Sequence, residues 1–206
     1  MTVVELLTST GARRDVRGPL RWVVRSAAVA ISCGVLYATV GTYIDLFAMT
    51  IAFLSAVLTL VFLTIGASAT SHAERPSWID FVLSLSALSA GIYFYIESDR
   101  IITRITLLDP LTVPDVIFSS ILLVLTLEAT RRTVGLGLTA IVLVFLAYNL
   151  WGHVLPGKLG HGEIGYLHFL DIMMFTTDGL FGVPVKVAAT YAFLFVMFGT
   201  FLGKAG

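Results

Sequence analysis

Apolar residues run through this 206-residue chain in long blocks, and charged residues are largely confined to the short segments between them. Six blocks approach or exceed the roughly 20 residues that an α-helix needs to cross a bilayer. The predicted spans are Ser26–Ile44, Leu46–Ser71, Trp78–Ile96, 114–130, Val134–Gly152 and Val187–Leu202. The pattern therefore predicts an all-α integral membrane protein with about six transmembrane helices.

The placement of two segments, one of them the span 114–130, depends on where their polar residues lie. In the span 114–130 only Val116–Leu127 is free of charge, so a full crossing requires Asp115 and Glu128 to lie near the interfaces or to face protein. If that segment lay flat, every later helix would be inverted. Residues 163–178 form a different pattern. They predict an amphipathic helix lying in the interface, with polar side chains on one broad side. Those side chains are Glu163, His168, Asp171 and Asp178.

Composition supports a membrane protein and excludes some functions. Apolar residues make up 57% of the chain and charged residues 13%, against roughly a quarter charged in soluble domains. The formal net charge of +0 offers no basic face for nucleic acid. Cys33 is the single cysteine, so the chain cannot form an internal disulfide.

The N-terminal segment 1–21 is rich in arginine, and Gly11, Gly18 and Pro19 argue against a long helix there. We predict a solvated basic arm in the cytoplasm. The apolar run that follows it is longer than the core of a signal peptide, so it is interpreted as a retained first helix.

The basic residues predict the orientation of the bundle. With six crossings, nine basic residues fall on the side of the N-terminus and four on the other, which favours a cytoplasmic N-terminus. Trp22, Trp78 and Trp151 each fall at a predicted helix end, as in an interfacial aromatic belt.

Residues that could carry chemistry are few. The chain has no HExxH, GxSxG or GxGD motif, so the sequence predicts no enzyme and no catalytic or cofactor-binding residue. One group could be read as a metal cluster, but its spacing fits no zinc pattern, and we interpret it as interfacial polar residues around a turn. Its members are His153, His161, Glu163, His168 and Asp171.

Intramembrane and helix-end charges offer a second set of candidates. Glu128 and Arg132 can pair at i, i+4, either as an ion pair at the membrane end or as a charge that lines a pathway or docks a partner helix. Asp45 and Asp80 are interpreted as helix-end carboxylates. The segment 179–185 is broken by glycine and proline. Such a break is typical of transporters that expose backbone to solutes, but a simple loop has the same pattern.

An ordered series of short motifs in the C-terminal half resembles a known family. The series comprises Leu127–Gly135, Tyr148–Gly152, Leu155-Pro156-Gly157 with His161, Thr176–Pro184 and Ala189–Leu202. It is similar to the fused membrane subunit of TRAP (tripartite ATP-independent periplasmic) transporters over about residues 114–206. The helix spacing and the Trp78-Ile79-Asp80 helix start extend the resemblance towards the N-terminus.

The resemblance implies three parts: the basic arm 1–21, a four-helix small-subunit-like domain over 22–132, and the beginning of the large permease subunit over 133–206. It also implies sodium-coupled uptake of organic solutes, chiefly carboxylates, across a bacterial inner membrane. The implied partners are the remaining large subunit and a periplasmic solute-binding protein. The family's sodium and substrate sites would lie beyond Gly206, so no binding residue is carried over to this chain.

A second hypothesis does not involve transport. A multi-pass protein with no catalytic motif could instead bind or assemble partner proteins in the membrane. Small residues at helix contacts are expected in either case, and Ala87, Ala90 and Gly91 of the third predicted helix are the candidates.

Overall fold

A computed structural model describes residues 10–40, 45–69 and 75–205. Over these residues the regular structure is helical, with one isolated β-bridge and no strand. The α-helices are α1 (Pro19–Val40), α2 (Leu46–Thr64), α3 (Trp78–Ile96), α4 (Ser98–Thr103), α5 (Val113–Thr133), α6 (Leu136–Trp151), α7 (Tyr166–Phe175), α8 (Val183–Val187) and α9 (Phe193–Ala205). A π-helical turn, Ala188–Ala192, joins α8 to α9.

Six of these segments are long and apolar enough to cross a membrane, counting α8 and α9 as one rod over Val183–Ala205. The predicted all-α, multi-pass membrane fold is therefore confirmed. The last span begins four residues earlier than predicted, because Pro184 occupies the first turn of α8, where its missing N–H costs no hydrogen bond. The first span begins at Pro19, seven residues before the predicted Ser26, and its predicted end at Ile44 lies outside the described residues. The second span was predicted to reach Ser71, but α2 ends at Thr64, where Ile65 is extended.

The core of the bundle lies between α2, α3, α5 and α7. Its largest residues are completely or almost completely buried, and they come from all four helices. They include Ile51, Leu58, Phe62, Phe94, Leu122, Leu125, Leu170 and Met174. By contrast, α1, α6 and α9 bury few residues and expose long apolar faces, as expected for surfaces that contact lipid.

Helices α2 and α3 cross at unusually close range. A Cβ atom built on Gly91 would lie 2.2 Å from both Cβ and Oγ of Ser55, so only glycine permits this approach. Ala87 and Ala90 on the same helix are fully buried. The prediction that these three small residues lie where helices meet is confirmed.

Carboxylates in helices α5 and α7 contact protein groups. Helix α5 has 21 residues, about 31 Å of helix, and both Asp115 and Glu128 face protein groups. Helix α7 is shorter than the predicted 163–178 and has 10 residues. Asp171 lies on its buried side together with Phe169 and Leu170, so the expected separation of a polar and an apolar face is wrong for Asp171. Glu163 and Asp178 lie outside the helix.

Candidate functional site

The carboxylate of Asp80 is the centre of a buried ion-pair network where α3 begins. Its Oδ1 accepts a hydrogen bond from Nη1 of Arg132 at 2.6 Å, and its Oδ2 accepts one from Nη2 of Arg14 at 2.7 Å. The side chains of all three residues are 2% exposed. Oδ2 also accepts from the backbone N–H of Ser77 at 2.8 Å, so the carboxylate caps α3, as predicted for a helix-end residue. The guanidinium of Arg132 lies 5.0 Å from the centre of the Phe62 ring.

Glu128 extends this network along α5. Its Oε1 accepts from Nε of Arg132 at 2.7 Å, which confirms the predicted i, i+4 pair. Its two oxygens also accept from Nε and Nη2 of Arg131, at 2.8 and 2.7 Å. The two arginines reach the backbone after α2, where they donate to the carbonyl oxygens of Ala67 and Ile65. Three guanidinium groups thus share two carboxylates, and together they join α2, α3 and α5.

The N-terminal arm, residues 10–17, lies across this end of the bundle. Arg14 donates its backbone N–H to the carbonyl of Thr64 at 2.8 Å, and Gly66 donates to the carbonyl of Ala12 at 2.9 Å. Arg14 and Val16 are buried. The prediction of a solvated arm is therefore wrong for Arg14 and Val16, and residues 1–9 of the predicted arm lie outside the described residues. The arm is held because its backbone pairs with the end of α2 and its arginine meets a buried carboxylate.

A glycine makes this close contact possible. Gly11 donates its N–H to the carbonyl of Arg132 at 2.8 Å. A Cβ atom at Gly11 would lie 2.0 Å from the carbonyl oxygen of Gly66. Any side chain at position 11 would therefore separate the arm from the segment after α2.

A second network lies at the opposite end of α3 and at the start of α5. The fully buried carboxylate of Asp115 accepts from the hydroxyl of Tyr93 at 2.7 Å and from Nη2 of Arg100 at 2.6 Å. It also accepts from the hydroxyl and backbone N–H of Thr112, at 2.7 and 2.8 Å. Thr112 and Asp115 together cap the N-terminus of α5. Hydrogen bonds to Asp115 and Glu97 raise the pKa of the Arg100 guanidinium above its usual value, so Arg100 stays charged.

A third ion pair attaches α7 to the segment after α4. Nη1 of Arg104 donates to Oδ1 of Asp171 at 2.6 Å, and the backbone N–H of Leu107 donates to Oδ2 at 2.8 Å. Both charged side chains are at least nine-tenths buried, and the guanidinium lies 5.4 Å from the ring centre of Phe175. Leu107 has a φ of 66°, in the left-handed region that non-glycine residues seldom adopt. The carboxylate of Asp171 thus fixes the position of this turn.

The histidine-rich segment does not assemble as a metal cluster. Asp171, which was one of its members, is paired with an arginine instead. Among the residues that the structure describes, no group of three or more His, Cys, Asp or Glu side chains is placed to hold a metal ion.

His161 has a different role, which is to fix the loop after α6. Its Nε2 lies 2.9 Å from the carbonyl oxygen of Tyr148, and its Nδ1 lies 2.7 Å from the carbonyl oxygen of Gly162. These backbone contacts raise the pKa of His161. The ring sits against Gly152, where an added Cβ would lie 2.3 Å from Nε2. The hydroxyl of Tyr148 donates to the carbonyl of Leu159 at 2.8 Å and closes the same loop.

The glycine- and proline-broken segment 179–185 forms a compact turn before α8. Leu180 donates its N–H to the carbonyl of Met173 at 2.7 Å, and a Cβ atom on Gly179 would lie 2.1 Å from that oxygen. Phe181 is buried and lies edge-on to Phe47, with 5.5 Å between the ring centres. The break therefore docks an aromatic side chain into the core.

Sequence reasoning did not predict the pairing of Asp80 with Arg14, which are 66 positions apart. Nor did it predict the pairing of Arg104 with Asp171, which are 67 positions apart. The available signal was weak: each carboxylate stands inside or beside an apolar run, where an unpaired charge would be costly. No family model, no curated protein and no solved structure matches this chain.

Proposed function

We propose that this chain is the scaffold and docking part of a TRAP-type secondary importer of organic solutes, with carboxylates as the substrate class. In this proposal it lies in a bacterial inner membrane with its N-terminus in the cytoplasm. Its partners are the rest of the permease, which holds the coupling sodium ion and the solute, and a periplasmic binding protein. The resemblance of the C-terminal motifs to that family supports the assignment of family and substrate class.

The observation that carries a scaffold role is the pair of networks built on buried carboxylates at opposite ends of α3 and α5. Asp80 joins the arm, α3 and α5 at one end, and Asp115 joins α3, the segment after it and α5 at the other. Buried ion pairs require specific geometry, because a shifted helix would leave a charge without its partner. A bundle fixed at both ends suits the static part of a transporter, against which another part moves.

A non-transporting role as a membrane assembly or binding protein remains the second candidate. The observation in its favour concerns the buried carboxylates. Asp80, Asp115 and Asp171 are each held by arginine, so these three groups are not available to bind a transported ion. A protein that binds partners through its helix faces needs no ion site, whereas the transporter proposal has to place that site in the rest of the permease.

The first test is the coding sequence downstream of Gly206. A reading frame that continues into further apolar helices, or an adjacent frame of that kind beside a gene for a secreted binding protein, would support the transporter. A stop codon with neither gene nearby would contradict it and favour the second candidate.

The second test is uptake in the native host. Deletion of the gene should abolish uptake of at least one radiolabelled organic acid that the parent strain accumulates. That uptake should also fall when sodium is replaced by choline. Unchanged uptake across a broad carboxylate panel would contradict the proposal. Re-expression of the wild-type gene is the control for effects on neighbouring genes.

A further inference from the structure

A cavity of about 550 Å³ opens between the arm, the first turns of α1 and the ends of α2 and α5. Among the described residues, five arginines line it, against a single acidic residue, Asp15. Apolar surface from residues such as Val24 and Ile65 completes the wall. The cavity therefore combines concentrated positive charge with an apolar side.

Two of the lining arginines, Arg14 and Arg132, are buried at the floor of the cavity. Within the described residues, Arg14 pairs with Asp80, and Arg132 pairs with Asp80 and Glu128. These pairs fix the position of the floor beneath the exposed cations of the rim.

The rim adds three more cations. Arg21 and Arg25 lie one helical turn apart on α1, and Arg13 faces them from the arm. All three are exposed, and none forms an ion pair with a carboxylate of the described residues. Like charges at i, i+4 repel each other, and an anion between them would remove that repulsion.

The position of the rim indicates which anion is available. It lies where the apolar span of α1 begins, beside Trp22, which is 73% exposed. In a membrane this is the level of the lipid headgroups. The N-terminus of α1, a helix of 22 residues, adds a partial positive charge at the same place.

We propose that this cavity binds a phosphate group, supplied by the headgroup of an anionic phospholipid. Arg13, Arg21 and Arg25 contact the phosphate oxygens. Val24 and Ile65 lie against the apolar part of the lipid. Inorganic phosphate shares the oxyanion chemistry and is the alternative source. The bound lipid would hold the arm against α1 in addition to the contacts that the chain itself makes.

Native mass spectrometry of the full chain in detergent tests the proposal. Dioleoyl-phosphatidylglycerol and dioleoyl-phosphatidylcholine are titrated separately, and inorganic phosphate is then added as a competitor. The rim variant is Arg21→Gln/Arg25→Gln, and Arg21→Lys/Arg25→Lys retains its charge. The matched control is Lys158→Gln/Lys204→Gln, which removes the same two charges from exposed positions outside the cavity.

We expect phosphatidylglycerol to bind more tightly than phosphatidylcholine, and the rim variant to lose at least about tenfold in affinity, because each basic residue near a membrane surface contributes to anionic-lipid binding. The Lys/Lys variant and the matched control should stay within about twofold of wild type. If millimolar phosphate displaces the lipid and binds with the same dependence on Arg21 and Arg25, the site is a free phosphate site. Equal losses in the rim variant and the matched control, or no preference for phosphatidylglycerol, would overturn the proposal.

Discussion

Asp80 in the first turn of α3 and Arg132 in the last turn of α5 meet at 2.6 Å, and each side chain is 2% exposed. The two residues are 52 positions apart in the chain. Their contact sets the register of α3 against α5, because a shift of either helix would leave a charge buried without its partner. It also provides the carboxylate to which Arg14 of the arm binds.

Replacing Asp80 with asparagine should destabilise the bundle by about 3–5 kcal/mol, since removing one partner of a buried pair leaves the other charge uncompensated. The substitution removes the carboxylate that Arg14 and Arg132 share. Thermal unfolding in detergent, followed by circular dichroism, measures the effect. Asp178→Asn is the control, since Asp178 is exposed and lies outside the helices. Equal melting temperatures for the two variants would show that the network is not structurally important.

Gly91→Ala should destabilise the packing of α2 against α3 by about 1–3 kcal/mol, the usual cost of overpacking a close contact. The added methyl group would lie 2.2 Å from the side chain of Ser55, so the helices must separate. Unfolding in detergent provides the measurement.

Gly34→Ala is the matched control for that prediction. No atom lies within 4 Å of a Cβ at this position in α1. Alanine should be neutral or stabilising there, by about 0.5–1 kcal/mol, because glycine is entropically unfavourable within a helix. A Gly91→Ala protein as stable as the Gly34→Ala protein would contradict the close approach.

Gly11→Ala should release the arm from the end of the bundle. The new Cβ would lie 2.0 Å from the carbonyl oxygen of Gly66, so the hydrogen bonds that Ala12 and Arg14 donate to the carbonyls of Ser68 and Thr64 should be lost. Hydrogen exchange at these two amides should accelerate by about tenfold or more, given about 1 kcal/mol for each backbone bond. Gly199→Ala, where an added Cβ meets nothing within 4 Å, should leave the arm protected. Unchanged exchange in Gly11→Ala would contradict the arrangement of the arm.

His161 should titrate above the ordinary histidine value of about 6.5. Both ring nitrogens face carbonyl oxygens, which only accept, so both contacts are hydrogen bonds only when the ring is doubly protonated. A raised folded pKa means that this stabilisation is complete at pH values below the unfolded pKa and is lost as the pH rises through the folded pKa.

The titration can be followed by NMR of histidine labelled with carbon-13 in its ring, with His161→Gln used to assign the signal. Tyr148→Phe keeps the backbone carbonyl that His161 contacts and should preserve the raised pKa. A His161 signal that titrates at or below about 6.5 would rule out the doubly hydrogen-bonded ring.

The sequence by itself determined the number and approximate position of the spanning helices, although α1 begins seven residues before its predicted start and α2 ends seven residues before its predicted end. These follow from the length of each apolar run, since backbone hydrogen bonds in a membrane must be satisfied within the helix. The pairing of Glu128 with Arg132 was also predictable from local sequence, because residues four apart share one face of a helix.

Only the tertiary structure decided which charges from distant segments meet. No feature of the neighbouring sequence distinguishes Arg14, which is buried against Asp80, from the exposed arginines of the same arm. Likewise, the sequence predicted Asp171 on a polar helix face, whereas in the folded bundle it is buried against Arg104. The partner of a buried charge depends on which helices become neighbours and in what register. Those are properties of the assembled bundle rather than of any single segment.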